Sequence, residues 1–293
     1  MAQQSVWGTL KRTGRDFIAH KDPRMAAAIA FFTIFSLGPI LIIVISIAGL
    51  IWGEQAVKGE IVERVEGALD EEVAQLLQTV IANAAETGQG TIGLIVGIGA
   101  LLISATVVFS QLKGALNTTF QVKPKPGRMI LSVLRDRGLA FLLVLVIAAL
   151  LIASLIAGSV LAGLGEEAQK ALPIPPVAFQ AVEMLLSALV IMLLFAMVFK
   201  YLPDIRIAWR DVWLGAATTA VLFVLGKFGL GIYLGWAGIA GAYGAAGGLI
   251  LMLLWVYFST MIFLLGAEFT CAWAERRGRR VEPSKHAERI EAG

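Results

Sequence analysis

The chain has 293 residues, of which 58% are hydrophobic and only 15% are charged, with a formal net charge of +3. A soluble domain carries about 25% charged residues, so this composition excludes an ordinary soluble protein and predicts an all-α, polytopic membrane helical bundle. Cys271 is the only cysteine, which excludes an intrachain disulfide, and because His20 and His286 lie in polar terminal segments no His/Cys cluster indicates a metal site.

The chain opens with a basic segment, residues 1–24, and then a charge-free run at 25–52. That run is longer than the roughly 7–15 apolar residues of a signal peptide, so we interpret it as a retained first transmembrane helix. It begins a membrane domain that extends over 25–274. Within it, Ser36 and Pro39 predict a kink or helix break, whose freed carbonyls either line a cavity or bond a neighbouring hydroxyl.

The segment that follows, residues 54–86, is acidic and periodic. It carries eight Asp and Glu residues, and its apolar residues recur at helical spacing. We expect short amphipathic helices outside the membrane. They form either a lid packed on the bundle or an element that binds a partner or acts as a gate.

Further apolar runs place spans at 90–112, 138–165 and 173–199. The next 56 residues, 212–267, contain one charge, and a single helix of that length would measure roughly 84 Å. A turn at 235–241 is therefore expected, with spans at 212–235 and 244–271.

The distribution of Lys and Arg predicts the orientation of these six spans. Of the 24 basic residues, 20 lie in segments 1–24, 113–137, 200–210 and the charged tail 275–293. By the positive-inside rule these segments face the cytosol, so both termini are predicted to be cytosolic.

Three ionisable residues stand inside or at the edge of these spans. Glu183 and Lys227 both fall in the outer half, where they form a structural ion pair, line a polar cavity, or snorkel to the interface. Glu268 lies near the cytosolic end of span six. We expect it to meet loop arginines or lipid headgroups.

The cytosolic segments offer basic side chains to the inner leaflet. Those flanking a proline-containing turn suit anionic headgroups or act only as topology determinants: Lys123, Lys125, Arg128, Arg135 and Arg137. The tail alternates charges and is predicted to be a disordered basic segment near the membrane. Close helix packing is expected at GxxxG pairs such as Gly231/Gly235.

Several stretches, in their order, resemble the YihY/BrkB family of bacterial inner-membrane proteins. They are AAAIAFFTIFSLGP at 26–39, Leu116–Asn117, YLPD at 201–204, WRDVWLGA at 209–216, Tyr243–Gly244, LWVYFS at 254–259 and LGAE at 265–268. The likeness covers most of the chain. It departs at Phe31 and Phe32, where tyrosines are expected, so any role of those hydroxyls is in doubt.

The resemblance implies six helices in a bacterial inner membrane and a family linked with serum resistance and suspected lipid export, once labelled ribonuclease. Because the cytosolic acids are scattered, no nuclease site is expected. We hypothesise transport or translocation of envelope lipids or related amphiphiles. The alternatives are a non-transporting scaffold that docks partners through its acidic outer helices and, less favoured, a small-solute channel. The expectations include membrane lipids as partners, a homo-oligomer or an envelope protein partner, and no enzyme activity, cofactor, metal or nucleic acid.

Overall fold

The computed structural model describes residues 6–36, 90–125, 176–237, 247–279 and 281–290, together with the helical positions 138, 142, 146 and 150. This part of the chain is mostly helical. Its helices are α1 (Val6–Ala19), α2 (residues 22–36), α3 (Gly90–Thr119), α4 (Pro176–Tyr201), α5 (Trp209–Ala237) and α6 (Gly247–Arg276).

Helices α3 to α6 lie where spans were expected at 90–112, 173–199, 212–235 and 244–271. The run at 212–267 is divided between α5 and α6, as its length required. Helix α2 covers the beginning of the first span. The rest of that span, most of the third span and the outer helices expected at 54–86 lie outside the described residues.

Helices α5 and α6 are the two described helices that are long and apolar enough to cross a bilayer. Large apolar side chains on one face of α5 point away from the protein, as a helix in lipid requires. The exposed side chains on that face are Trp213, Val221, Leu225, Phe228, Ile232 and Trp236.

The chain divides into two compact units. The first comprises residues 1–22, 113–225 and 262–293, and the second comprises 23–112 and 226–261. In the first unit, aromatic rings from α4, α5 and α6 form one cluster. The Phe199 and Phe263 centroids are 5.0 Å apart, and Phe195 lies 5.7 Å from Phe223 and 5.9 Å from Phe263. In the second unit, Phe31 of α2 packs on Phe35 with a centroid distance of 4.7 Å.

A reciprocal pair of glycines lets α5 and α6 approach closely in the first unit. A Cβ atom at Gly215 would overlap the side chain of Thr270, and one at Gly266 would overlap the side chain of Thr219. Each threonine hydroxyl donates 2.7 Å back to the carbonyl of the glycine on its own helix, Thr219 to Gly215 and Thr270 to Gly266. Both hydroxyls are thereby satisfied in an apolar setting.

The expected GxxxG pair does not play this part at Gly231, where an added Cβ would meet no described atom within 4 Å.

The charged tail is ordered at residues 281–290, which corrects the expectation of disorder. Strand β1 (Val122–Pro124) pairs antiparallel with β4 (Ala287–Arg289), and β2 (Ile205–Arg206) pairs with β3 (Glu282–Pro283). The loops after α3 and α4 thus supply backbone partners to the tail, while Val281 and Ala287 are buried. Alternating charge had suggested a solvated segment, but short edge strands place charge outward and small apolar residues inward.

Residues 6–19 were expected only as a basic segment, yet they form helix α1. Its inner face buries Thr9, Thr13 and Phe17. The helix ends where Lys21 adopts a left-handed backbone conformation with φ of 61°. Such a residue is a common helix terminator, and here it turns the chain into α2.

Candidate functional site

Two ionic contacts fasten α1 to the C-terminal third of α6. Arg12 donates to the Glu275 carboxylate at 2.5 Å and to Asp16 on its own helix at 3.0 Å. Eight residues later, His20 Nδ1 lies 2.5 Å from Glu268 Oε1. The helix therefore delivers the turn at residues 20–22 to a fixed position beside α6.

Glu268 is buried, with 2% of its surface exposed, and its partner is a histidine. This corrects the expectation that it meets loop arginines or headgroups. The reason is that α1 covers this end of α6 and shields the carboxylate from solvent. The hydrogen bond to Glu268 raises the pKa of His20 above its ordinary value, against the lowering effect of burial.

Asp22 completes the cluster and is itself completely buried. Among the residues that the structure describes, neither carboxylate oxygen has a hydrogen-bond donor, so Asp22 does not act as an ordinary cap of α2. Burial raises the pKa of Asp22 to about 7, and the negative charge of Glu268 adds to the shift. A hydrogen bond from the protonated carboxyl to Glu268 also raises the pKa of Asp22.

Two residues in the left-handed backbone region frame this cluster. One is Lys21, between His20 and Asp22, and the other is Gln121, whose φ is 54°. The Gln121 Nε2 atom lies 3.4 Å from His20 Nε2. Because an amide offers both a donor and an acceptor, Gln121 can serve either the neutral or the charged imidazole. A residue other than glycine in the left-handed backbone region costs conformational energy, and such residues often occur at functional sites.

The cluster of His20, Asp22 and Glu268 can therefore hold and exchange a proton near neutral pH. With Asp22 protonated, the two carboxyls share that proton and His20 balances the remaining charge. With Asp22 ionised, two buried carboxylates face one histidine and repel each other. Within the described ranges, no group of three His, Cys, Asp or Glu side chains, this cluster included, is arranged to hold a metal ion.

The other predicted site residues lie elsewhere. Lys227 is exposed on α5, whereas the Glu183 side chain lies outside the described residues, so their pairing stays a prediction. Ser36 is buried and donates 2.7 Å to the Thr33 carbonyl near the end of the described part of α2. Pro39 falls outside the described part, and the helix break there also stays a prediction.

The basic residues assigned to headgroups are partly committed to the protein. Lys123 on β1 lies 3.4 Å from Glu288 on β4, and the Lys125 backbone donates to the His286 carbonyl at 3.0 Å. Both side chains remain exposed. The others, Arg128, Arg135 and Arg137, lie outside the described residues. Headgroup binding at this loop stays a prediction.

Sequence reasoning missed His20 and Asp22 because both stand in a segment that looks like a plain basic flank. One signal was available. A carboxylate inside a 30-residue apolar helix needs a polar partner, and the residues around Glu268 in the α6 sequence are mostly apolar. That partner had to come from another segment, although the sequence does not say which.

A family model described as virulence factor BrkB matches residues 13–291. The chain belongs to this family. The match includes all three residues of the proton-binding cluster, whereas the first half of α1 precedes it. The BrkB-family relatives are named as membrane proteins, and with the apolar helices α5 and α6 this identifies the chain as a membrane protein.

Similar proteins share the name UPF0761 membrane protein. The relative from Azotobacter vinelandii is 27% identical over 269 residues, covering 90% of this chain and 63% of its own length. That from Ralstonia nicotianae is 29% identical, over 88% of this chain and 56% of its own length. That from Photobacterium profundum is 28% identical, over 86% and 76% respectively.

The chain thus spans less than two thirds of the first two of these BrkB-family relatives. No solved structure matches it.

Proposed function

We propose that this protein takes part in the transport or translocation of envelope lipids or related amphiphiles across the bacterial inner membrane. In this proposal six helices span the membrane, both termini are cytosolic, and the protein acts without catalysing a covalent reaction. The observation that carries the proposal is the buried cluster of His20, Asp22 and Glu268, where burial raises the pKa of Asp22 to about 7.

A proton held between Asp22, at the beginning of α2, and Glu268 on α6 links these two helices. When Asp22 is protonated, its hydrogen bond to Glu268 favours contact between these two helices. When the proton leaves, repulsion between two buried carboxylates favours their separation. A gate of this kind couples proton binding to helix movement, as transport needs a two-state element that a ligand biases.

Basic residues are concentrated in the segments predicted to be cytosolic, which supports the orientation. Several of them form ion pairs with nearby acidic residues. Asp211 is buried at the beginning of α5, and its carboxylate lies 3.8 Å from Arg277 and 3.4 Å from Arg279. Lys113 similarly lies 2.9 Å from Asp204. These pairs fix the inner ends of the helices, whereas the proton-binding cluster has no arginine or lysine bonded to it among the described residues.

The proposal is tested with purified protein in liposomes that contain a fluorescent anionic phospholipid. Leaflet exchange is followed with a water-soluble quencher, with and without an imposed pH gradient. We expect the wild-type protein to accelerate exchange and to respond to the gradient. Asp22→Asn, which fixes a neutral donor beside Glu268, should abolish the response to pH.

Asp211→Asn is the matched control, because it makes the same chemical change at a buried carboxylate outside the cluster. It should retain the pH response if it folds. No acceleration over empty liposomes would refute autonomous lipid translocation and favour the scaffold hypothesis. Acceleration that ignores pH in the wild-type protein would refute the role of the cluster but not that of transport.

A further inference from the structure

Helix α1 presents a second face, apolar and turned away from the protein. Its side chains there are Val6, Trp7, Leu10 and Ile18, which are 52%, 75%, 46% and 67% exposed. At 100° per residue these four positions fall within one arc of about 120°. An arc of that width matches the apolar stripe of a helix that is partnered along its length.

The packing of α1 against the protein uses an adjoining face, which meets the arc at Phe17. The buried side of the helix consists of Thr9, Thr13 and Phe17, and ionic contacts from Arg12 and His20 hold it to α6. Most of the exposed arc therefore extends beyond the packing face. Large apolar side chains in this number and arrangement mark an interaction site.

The charges beside the arc indicate what covers it. Lys11 and Arg15 flank the apolar residues on the side away from the protein, and the Arg15 side chain is 75% exposed. Lys or Arg beside an apolar face with a tryptophan is the pattern of a helix that lies in a membrane interface. Such a helix fits the surface of a bilayer, where anionic headgroups lie next to the hydrocarbon of the acyl chains.

The position of the helix favours the same partner. After the turn at Lys21 the chain enters α2, the beginning of the first predicted span. Contacts with Glu268 and Glu275 place α1 beside the last turns of α6, a helix long and apolar enough to cross the bilayer. The helix is thus held at the level where that membrane helix leaves the lipid.

We infer that α1 is an interfacial membrane anchor that binds anionic lipid. Its apolar arc inserts between headgroups and acyl chains, and Lys11 and Arg15 bind the negatively charged headgroups of the same leaflet. This goes beyond the proposed transport function and does not depend on it. A protein that moves no lipid would still show this insertion.

The test uses the full chain in lipid nanodiscs that contain phosphatidylglycerol, with Cys271→Ser to remove the native thiol. Nitroxide labels are attached at Leu10→Cys on the arc and, as a control, at Ala19→Cys on the opposite exposed face. Accessibility is measured to oxygen, which partitions into lipid, and to a water-soluble nickel chelate. We expect the oxygen-to-nickel ratio at position 10 to exceed that at position 19 several-fold.

Equal ratios at the two positions, or preferential nickel access at position 10, would place the arc in water and overturn the inference. Spin–spin broadening at position 10 would show a second copy of the chain on this face, which also overturns it. In a double variant, Lys11→Gln with Arg15→Gln, the ratio of membrane-inserted to withdrawn α1 should fall by about fivefold for each basic residue removed. Lys285→Gln is the matched control in the tail.

The charge requirement has its own outcome. With the wild-type chain, insertion at position 10 should weaken when phosphatidylglycerol is replaced by phosphatidylcholine. Insertion that is identical in both lipids would overturn the assignment of Lys11 and Arg15 to anionic headgroups.

Discussion

Asn117 at the end of α3 and Asp204 in the loop after α4 form a two-way hydrogen-bonded pair across 87 residues of sequence. The Asn117 amide donates to the Asp204 carboxylate at 3.0 Å, and the Asp204 backbone donates to the Asn117 side-chain carbonyl at 2.8 Å. Lys113 adds an ion pair to the same carboxylate at 2.9 Å. Two of the stretches that carry the family resemblance therefore meet in space and join the end of α3 to the loop after α4.

Substituting Asn117→Asp should break this junction. The new carboxylate still accepts from the Asp204 backbone but cannot donate, and it faces the Asp204 carboxylate as a like charge. Because Asn117 is buried, we expect a loss of about 1–3 kcal/mol in the free energy of unfolding. A thermal melt of the purified protein in detergent would measure it.

Thr118→Ala is the neighbouring control, since the Thr118 hydroxyl only bonds the Gly114 carbonyl of its own helix. It should melt within a degree or two of the wild-type protein. Equal melting of the Asn117 variant would mean that the junction contributes nothing to stability.

The interlocked glycines of α5 and α6 yield a second prediction. Gly215→Ala places a methyl group into Thr270, and the neighbouring backbones must separate to admit it. Overpacking of this kind costs about 1–3 kcal/mol. The loss should appear as a lowered melting temperature. Gly215→Ala combined with Thr270→Ala should recover only part of it, because the Cβ atom at position 270 would still lie 2.8 Å from the new methyl carbon.

Gly229→Ala tests whether any glycine of α5 would give the same result. An added Cβ there meets nothing within 4 Å among the described residues. Since alanine has the higher helix propensity, this variant should be neutral or slightly more stable. A Gly215 variant as stable as the Gly229 variant would contradict the close helix approach.

These two features show how far the sequence goes. Apolar runs and their length place α3 to α6, because lipid demands about 20 apolar residues for each helix. The glycine spacing predicts close packing in general, but GxxxG emphasises Gly231 and Gly235, whereas the observed contact uses Gly-x-x-x-Thr at Gly215 and Gly266. Which small residues meet is decided by the rotation of both helices.

The candidate site was beyond sequence reasoning for a related reason. His20 and Glu268 are 248 residues apart, and only the fold brings them within hydrogen-bonding distance. Glu268 was recognised as unusual because a carboxylate in an apolar helix is costly. Its partner lies just after α1, and the sequence had predicted only a basic segment where this helix forms.

The cluster predicts a pH dependence of stability. Burial raises the pKa of Asp22 from its ordinary 3.8 to about 7. Between those values the unfolded chain has lost the proton while the folded chain keeps it, so stability falls as the pH rises. His20 acts in the same direction, because its raised pKa gives stability that is present below pH 6.5 and is lost as the pH rises further.

Asp22→Asn should flatten the part of this profile between about pH 4 and pH 7, because asparagine has no proton to lose. At pH 8 the variant should be more stable than the wild type by at most about 4 kcal/mol, since the shift is about three units and each unit corresponds to about 1.4 kcal/mol. Melting temperatures across this pH range would measure it. Asp211→Asn should keep the wild-type slope, and an unchanged slope in Asp22→Asn would remove Asp22 from the cluster.

The ordered tail predicts that the loops after α3 and α4 are protected from proteolysis. Val281 is buried immediately before β3, so Val281→Asp puts a carboxylate without a partner into that packing. A buried polar group of this kind costs about 2 kcal/mol, which corresponds to roughly thirtyfold more open tail. Trypsin should then cut after Arg206 many times faster, because the strand that contains it loses its partner.

Detergent-solubilised protein suits this measurement because it leaves both membrane faces accessible and needs no assumption about orientation. Mass spectrometry of the early fragments would identify the bonds that trypsin cuts first. His286→Gln, an exposed substitution in the same tail that neither adds nor removes a trypsin site, should leave the order and rate of cleavage unchanged. If the Val281 variant is cut faster only within the tail, the strands do not shield the loops and their pairing is incidental to the loops' stability.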